Sequence, residues 1–554
     1  MISRFIHSYR LLWLCGVVAA LATVLVLLEP DRDAGTRAAA RTEHLTTTGH
    51  LTPRPSPAPA RGPAAAPNLP LTVVTLARPS AGRPVPRSYL GISTEYWALP
   101  AFEAHPSLFE RTLGLLRAPG GGPLVVRVGG DSADHTFWDP KRRQAHRWMF
   151  ALNAAMLRQL GGLVRDVGVR LILDLNLVTD TPLSAAQWAQ AAVTQLPAGS
   201  ILGFEVGNEP DLYARRYWLR AISQPAFGVS VLPKDLSPAV YTRDFEAYSD
   251  ALDLVAPHTA LVGPAVANPA SDVDWVSNLT SSAHPRLGVV SGHLYPYSAC
   301  ARRHRATYPT IARVLSENAS AGAAQRLEPA IRLAQRAGLP FRLTEINSVT
   351  CGGLRGVSDT FATALWAPDA LFELLRDGAS GANIHVRANA INAAFSITRR
   401  GLVAHPLFYG MLMFERTLGP GARLQPVHLR LPRHQAPHVK VWAVRVHGGG
   451  LHVLIIDKGP SAARVELRLR GTRPATVQRL LAPSVSTGSG VTLAGQHLGP
   501  DARWRGAPVT QTLWPGAHGY VVTVPRMSAA LVRIRLGAFV ARRSAARRAL
   551  RALG

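Results

Sequence analysis

The chain predicts an α/β fold, a (β/α)8 TIM barrel followed by a C-terminal β-sandwich domain that includes one strand from upstream of the barrel. Three observations carry that expectation. Across residues 88–416, eight short apolar runs alternate with amphipathic stretches, which is the count and span of such a barrel. Several runs are continuously apolar rather than alternating, the pattern of strands covered on both faces. Beyond Gly419 the helical periodicity stops and short strands punctuated by Gly and Pro take over. A 554-residue chain with 47% hydrophobic and 17% charged residues can bury a large core, so wholesale disorder is excluded. Collagen-like and disulfide-rich classes are excluded too, because the 47 Gly keep no triplet period and there are 3 Cys.

In chain order, residues 1–28 form the first unit. The run LLWLCGVVAALATVLVLL at 11–28 carries no charge and would rise about 27 Å as a helix, close to a bilayer core. Arg4 and Arg10 precede it, while Glu29, Asp31 and Asp33 follow. That asymmetry predicts a membrane anchor with the N-terminus in the cytoplasm and the catalytic mass outside. A cleaved signal peptide is the rival reading and would make the protein secreted, although its apolar region is usually shorter. Cys15 follows Leu-Trp-Leu, too bulky for a lipoprotein cleavage site. Residues 29–70, including TPRPSPAPARGPAAAP, bury too little apolar surface to fold and read as a semi-extended spacer.

LTVVTLA (71–77) precedes the barrel and has no helix of its own, so 71–86 is assigned to the β-domain. The barrel, 87–418, takes its strands from SYLGIS (88–93), LVVRVGG (124–130), VRLILDLNL (169–177), ILGFEVGNE (201–209), LVGPAVAN (261–268), GVVSGHLYP (288–296), FRLTEIN (341–347) and GANIHV (381–386). Helices are expected at 105–117, 151–166, 184–196, 241–255, 323–337 and 361–377. The sandwich, 419–537, draws on KVWAVRV, LHVLIID, ARVELRL, GYVVTV and AALVRIRL. The tail 538–554 carries five Arg and no acid, either a basic helix for an anionic surface or a solvated, frayed end.

The balance of 61 basic and 34 acidic residues gives +27. Such a charge suits a polyanion, including an acidic polysaccharide. Yet four of the basic residues are Lys and the rest Arg, a skew that with abundant Ala, Gly and Pro reads equally as high-GC codon usage. No zinc-finger or RNP signature accompanies the charge, so no nucleic-acid partner is expected. The 19 His are scattered without an HExxH, and no Cys-x-x-Cys occurs, so neither metal nor cofactor is expected.

Chemistry in a (β/α)8 barrel sits where strands end on the C-terminal face. The fourth strand ends in Gly207-Asn208-Glu209-Pro210-Asp211 and the seventh in Leu343-Thr344-Glu345-Ile346-Asn347. Two carboxylates facing each other there, about 5–5.5 Å apart, are what a retaining glycoside hydrolase needs, one as acid and one as nucleophile. Asn208 is placed to donate to a sugar 2-hydroxyl. The sixth strand ends in His293-Leu294-Tyr295; alternation points His293 and Tyr295 the same way, and a Tyr hydroxyl on Glu345 keeps that carboxylate ionised. Half-buried packing is the plain alternative for this pair.

Together, RVGGDSADHTFW, GNEPDLY, GHLYPYS and TEINSVTCGG…SDTFATALW resemble glycoside hydrolase family 79, the β-glucuronidase and heparanase group, over roughly 71–537. The resemblance implies acid/base and nucleophile roles for Glu209 and Glu345, and it carries the family's His-x-Tyr to His293 and Tyr295. It implies a uronate site at the backbone N–H groups of Gly352 and Gly353, with one residue more after Glu345 than in heparanase; an ordinary turn is the alternative. Glu95, Asp131 and Ser132 are candidates to line the −1 pocket. No processing region interrupts the early strands, which is closer to single-chain bacterial members. Cys300 and Cys351 fall in adjacent loops at the mouth and, in an exported protein, are expected to pair, leaving Cys15 alone. The activity implied is exo-β-glucuronidase on a uronic-acid-containing carbohydrate, without a cofactor. Its rivals are endo-acting cleavage of uronate polymers, a barrel glycosidase for neutral sugars, and a non-catalytic carbohydrate-binding wall protein.

Overall fold

The computed structural model describes residues 69–76, 82–141, 149–213, 236–282, 286–388, 390–432, 438–469 and 473–535. The apolar run at 11–28, the spacer as far as residue 68 and the basic tail lie outside the described residues. Among the described residues no helix is long and apolar enough to cross a membrane.

Eight parallel strands close into a barrel in chain order. They are Leu90–Glu95, Val125–Gly129, Arg170–Leu175, Ile201–Val206, Leu261–Val266, Leu287–Leu294, Phe341–Ile346 and Gly381–His385, each within a few residues of an expected run. Burial on both faces explains their continuous apolar texture. The outward side chains join a large core with the surrounding helices, while Val125, Ile172, Val262 and Val289 fill the barrel's interior floor. Two helices complete the ring beyond those the sequence suggested, Val273–Ser281 and Pro406–Thr417. The stretch expected as one helix at 323–337 is two, Ala321–Arg326 and Glu328–Arg336, with Pro329 starting the second.

The C-terminal domain is a sandwich of two sheets. Leu71–Leu76 returns to it, pairing antiparallel with Val427–Arg430 and parallel with Ala463–Leu467. Arg83–Pro84 joins the other sheet beside Arg423–Gln425. The sandwich encloses its own apolar core of Val, Ile, Leu and Tyr520. Its larger sheet also packs on the barrel helix Phe361–Asp377, where the Phe372 and Trp442 rings stack 5.4 Å apart. Asp369 of that helix accepts from Trp442 Nε1 at 3.1 Å and from Lys458 Nζ at 2.5 Å. The domains therefore share a buried, ion-paired junction behind the seventh and eighth strands.

Candidate active site

Above the apolar floor, the barrel interior becomes polar. Arg127, two residues beyond Val125 on the second strand and fully buried, sits at the centre. Its guanidinium donates to Glu205 Oε2 at 2.7 Å, Asp174 Oδ2 at 2.8 Å, Asn208 Oδ1 at 2.9 Å and Glu345 Oε2 at 3.1 Å. A buried carboxylate is tolerable only when paired, and this one cation serves acids from the third, fourth and seventh strands. Ser291 Oγ, from the sixth, donates to the other oxygen of Glu205 at 2.9 Å.

The seventh strand delivers Glu345 through an irregularity. Leu343 belongs to the core shared with the helices, whereas Glu345 turns to Arg127. Pairing with the sixth strand slips between them, with Gly292 opposite Leu343 but His293 opposite Glu345. Such a bulge re-aims the side chain that follows it. Tyr295 Oη donates to Glu345 Oε1 at 2.6 Å, and His385 Nδ1 lies 3.3 Å from Oε2. Burial works against the charge on Glu345, yet His385, His293, Arg127 and the Tyr295 hydroxyl bring its pKa down to about 2. It is a carboxylate under all ordinary conditions.

Glu209 leaves the fourth strand in the left-handed region, φ 52°, a conformation uncommon for a residue with a β-carbon. Its N–H donates to Ala265 O at 3.1 Å, and its Oε1 lies 2.9 Å from His293 Nδ1. His293 is fully buried; desolvation opposes its charge, but Glu345 and Glu209 raise its pKa above the usual imidazole value. One ligand-type atom from each of Glu209, His293 and Glu345 lies within 4.8 Å of the others. Among the described residues this is the group whose spacing would suit a metal ion. Here each member is already held by a hydrogen bond, His293 to Glu209 and Tyr295 to Glu345.

Glu95, Asp131, Glu209, Tyr295, Glu345 and Gly352 line a cavity of about 540 Å³ at the barrel mouth, within the usual range for ligand sites. Glu95 ends the first strand, and Gly130 lets it in, since a β-carbon there would come 2.6 Å from its carboxylate. Burial raises the pKa of Glu95, with His385 opposing. Loss of water around Asp131, then the like charges of Glu95, Glu209 and Glu345, raise its pKa well above the usual range.

Some expected residues stand elsewhere. Ser132 is buried and does not line the cavity; its Oγ donates to Gly129 O at 2.9 Å and accepts Tyr96 N–H, while its N–H holds Glu95 Oε2 at 2.9 Å. It therefore orients Glu95 rather than meeting a ligand. Asn208 is buried behind Glu209, between Arg127 and a long 3.5 Å contact to Asp131. Gly353 N–H donates to Thr350 O at 3.3 Å, which closes the turn; of the expected pair of glycines, Gly352 is the one lining the cavity. Cys300 and Cys351 are disulfide-bonded with Cα atoms 6.0 Å apart, pinning the loops after the sixth and seventh strands.

Arg127, Glu205, His385 and Arg387 were not singled out from sequence. The first two were visible as charges inside apolar strand runs, LVVRVGG and ILGFEVGNE, where double-sided burial demands a partner. His385 and Arg387, at and just past the end of the eighth strand, carried only a positional signal.

No protein-family model matches the chain. It is similar to a β-glucuronidase of Aspergillus niger, 26% identical over an aligned length of 327 that covers 52% of this chain. The chain spans about half the length of that relative, 56%. In structure it resembles a 4-O-α-L-rhamnosyl-β-D-glucuronidase of Fusarium oxysporum 12S, with a TM-score of 0.68 at 17% identity over 83% of this chain and 99% of that one. It also resembles an α-L-arabinofuranosidase of Thermotoga maritima, with a TM-score of 0.59 at 15% identity over 84% and 99% of the two chains. These structural likenesses concern the fold.

Proposed function

We propose that the chain is a retaining glycoside hydrolase that removes a terminal β-linked glucuronic acid. The observation that carries the reaction type is the separation of Glu209 and Glu345, whose carboxylate oxygens approach within 4.8 Å. An inverting pair stands about 6.5–9.5 Å apart to admit a water between sugar and base, whereas a retaining pair is near 5 Å. Glu345, ionised and held by Tyr295 and Arg127, attacks the anomeric carbon. Glu209 gives its proton to the leaving oxygen as the glycosidic bond breaks, leaving a covalent glycosyl–enzyme ester. Glu209 then takes a proton from water, which attacks the same carbon and restores Glu345 as the leaving carboxylate. His293 orients Glu209. The β-glucuronide specificity is supported by similarity to the Aspergillus enzyme and by the family resemblance of the strand-end motifs. The apolar run at 11–28 is proposed to anchor the enzyme with the barrel outside the cytoplasm, from the charges that flank it.

The test is hydrolysis of a chromogenic β-glucuronide beside the matching β-glucoside, β-xyloside and α-arabinofuranoside, with Glu345→Gln as control. Glucuronide turnover is expected, lost in the variant, with the β-anomer formed first by NMR. An α-anomer as first product would overturn the retaining mechanism, and preferential turnover of a neutral sugar would overturn the substrate.

A further inference from the structure

The cavity that holds the two glutamates is strongly acidic. Glu95, Asp131, Glu209 and Glu345 all line it. Glu345 is ionised there, and a substrate carrying its own carboxylate would be repelled by it unless a cation stood nearby. Arg127 cannot serve, because it is fully buried and its donors are spent on Glu205, Asp174, Asn208 and Glu345. Among the described lining residues one Lys or Arg remains, Arg387. It follows the eighth strand by two residues and is half-buried. Its guanidinium lies beside the turn after the seventh strand, where a β-carbon on Gly352 would come 3.0 Å from Nη2. The bare glycine, at φ 75°, thus leaves space on the cavity side of the turn.

Arg387 acts on Asp131 through its charge. Among the described residues, however, no hydrogen bond or ion pair engages its guanidinium, in contrast to Arg127 buried in the barrel interior. A planar fork of donors aimed at an acidic cavity and not consumed there is suited to an incoming carboxylate. The neighbouring turn contributes less than the sequence suggested, since Gly353 N–H is donated to Thr350 O.

We propose that Arg387 is the specificity-determining residue that recognises the carboxylate of a uronic acid, seated against Gly352 beside the disulfide. This rests on the glycosidase reading above and deepens it: charge recognition is carried by a side chain from the eighth strand rather than by the glycine amides alone. The rival role is structural, with Arg387 merely offsetting the charge on Asp131. That role would favour neutral and acidic sugars alike.

The test compares wild type, Arg387→Gln and Arg387→Lys on a chromogenic β-glucuronide and the matching β-glucoside, beside calorimetric binding of free D-glucuronate and D-glucose. In Arg387→Gln, kcat/KM for the glucuronide should fall roughly 10- to 150-fold, the range of a hydrogen-bonded charge. The glucoside value should stay within about threefold, a change under ~0.7 kcal/mol. Arg387→Lys should recover part of the loss, and glucuronate binding should weaken in parallel with it. Equal losses on both substrates, or an unchanged preference for glucuronide, would overturn the assignment while leaving the β-glucuronidase reading intact. If wild type hydrolyses neither substrate, the glycosidase reading fails and the calorimetry still decides: glucuronate binding lost in Arg387→Gln supports the carboxylate site, and binding absent or indifferent to the substitution removes it.

Discussion

At the scale of single residues, the site depends on one buried cation. Arg127 faces Asp174, Glu205 and Glu345, all within 3.1 Å. Burial pushes the Asp174 pKa up, and Arg127 opposes that rise, so the ion pair works against a large desolvation cost. Removing the guanidinium leaves acids stranded away from water, a change that typically costs about 3–5 kcal/mol, whereas a buried pair adds little over an apolar substitute. Arg127→Leu is therefore expected to lose stability of that order in urea unfolding. It should also lose activity, because Glu345 forfeits one of the charges that keep it ionised. Adding Glu205→Gln and Asp174→Asn to Arg127→Leu should recover much of the stability without the activity. An unfolding midpoint unmoved by Arg127→Leu would mean that the acids are already neutral and that Glu345 owes its low pKa to the two histidines and Tyr295.

At the scale of elements, strand ends and loops do separate work. The fourth and seventh strands bring Glu209 and Glu345 together, while the loops after the sixth and seventh strands shape the rim and are joined by Cys300–Cys351. Closing a loop of 51 residues restricts the unfolded chain by roughly 4 kcal/mol in the chain-entropy picture. Cys351 itself sits at φ 57°, before Gly352 and Gly353, also in the left-handed region. The Cys300→Ser, Cys351→Ser double variant should unfold at markedly lower urea and lose kcat/KM on acidic substrates as the turn beside Arg387 loosens. An unchanged midpoint would show that the native loops are held without the bond. The strands were legible because burial on both faces writes continuous apolar runs, and Glu209 and Glu345 because polar residues closing such runs have few structural uses. What escaped were features set by distant partners. The bulge before Glu345 arises from pairing between the sixth and seventh strands. Ser132 looked like a lining residue because nothing local reveals that Gly129 and Tyr96 consume its hydroxyl. The helix Phe361–Asp377 has no side-chain cap; its first N–H groups go instead to Thr487 O and Val485 O of the sandwich, at 2.8 and 3.1 Å, an arrangement no local pattern encodes.

For the whole molecule, the response to pH sets two opposing terms against each other. The chain carries +27 with 19 His, so raising pH through the imidazole range lowers its net charge and relieves self-repulsion. Buried carboxyls act the other way. Burial lifts Glu415, on the barrel's last helix, to about 8, with an Ala118 backbone hydrogen bond opposing, and lifts Asp134 to about 7. Between the ordinary carboxylate pKa and these raised values, the folded state holds protons that the unfolded chain has released. Stability from each such group is therefore complete at low pH, declines as pH rises through the window, and is gone above the folded pKa. Salt decides which term wins. Near 0.15 M the Debye length is about 8 Å, which screens the surface arginines but not a carboxyl inside the helix layer. Unfolding free energy at that salt is expected to fall from about pH 5 to pH 8, and the fall should shrink at low salt, where self-repulsion regains its reach. Glu415→Gln keeps the shape and removes the titration, so it should flatten the slope by roughly 1 kcal/mol per pH unit within the window, up to the limit for one proton. Parallel wild-type and variant profiles in urea titrations from pH 4 to 9 would mean that Glu415 keeps an ordinary affinity for its proton and that the surface charge governs the pH response.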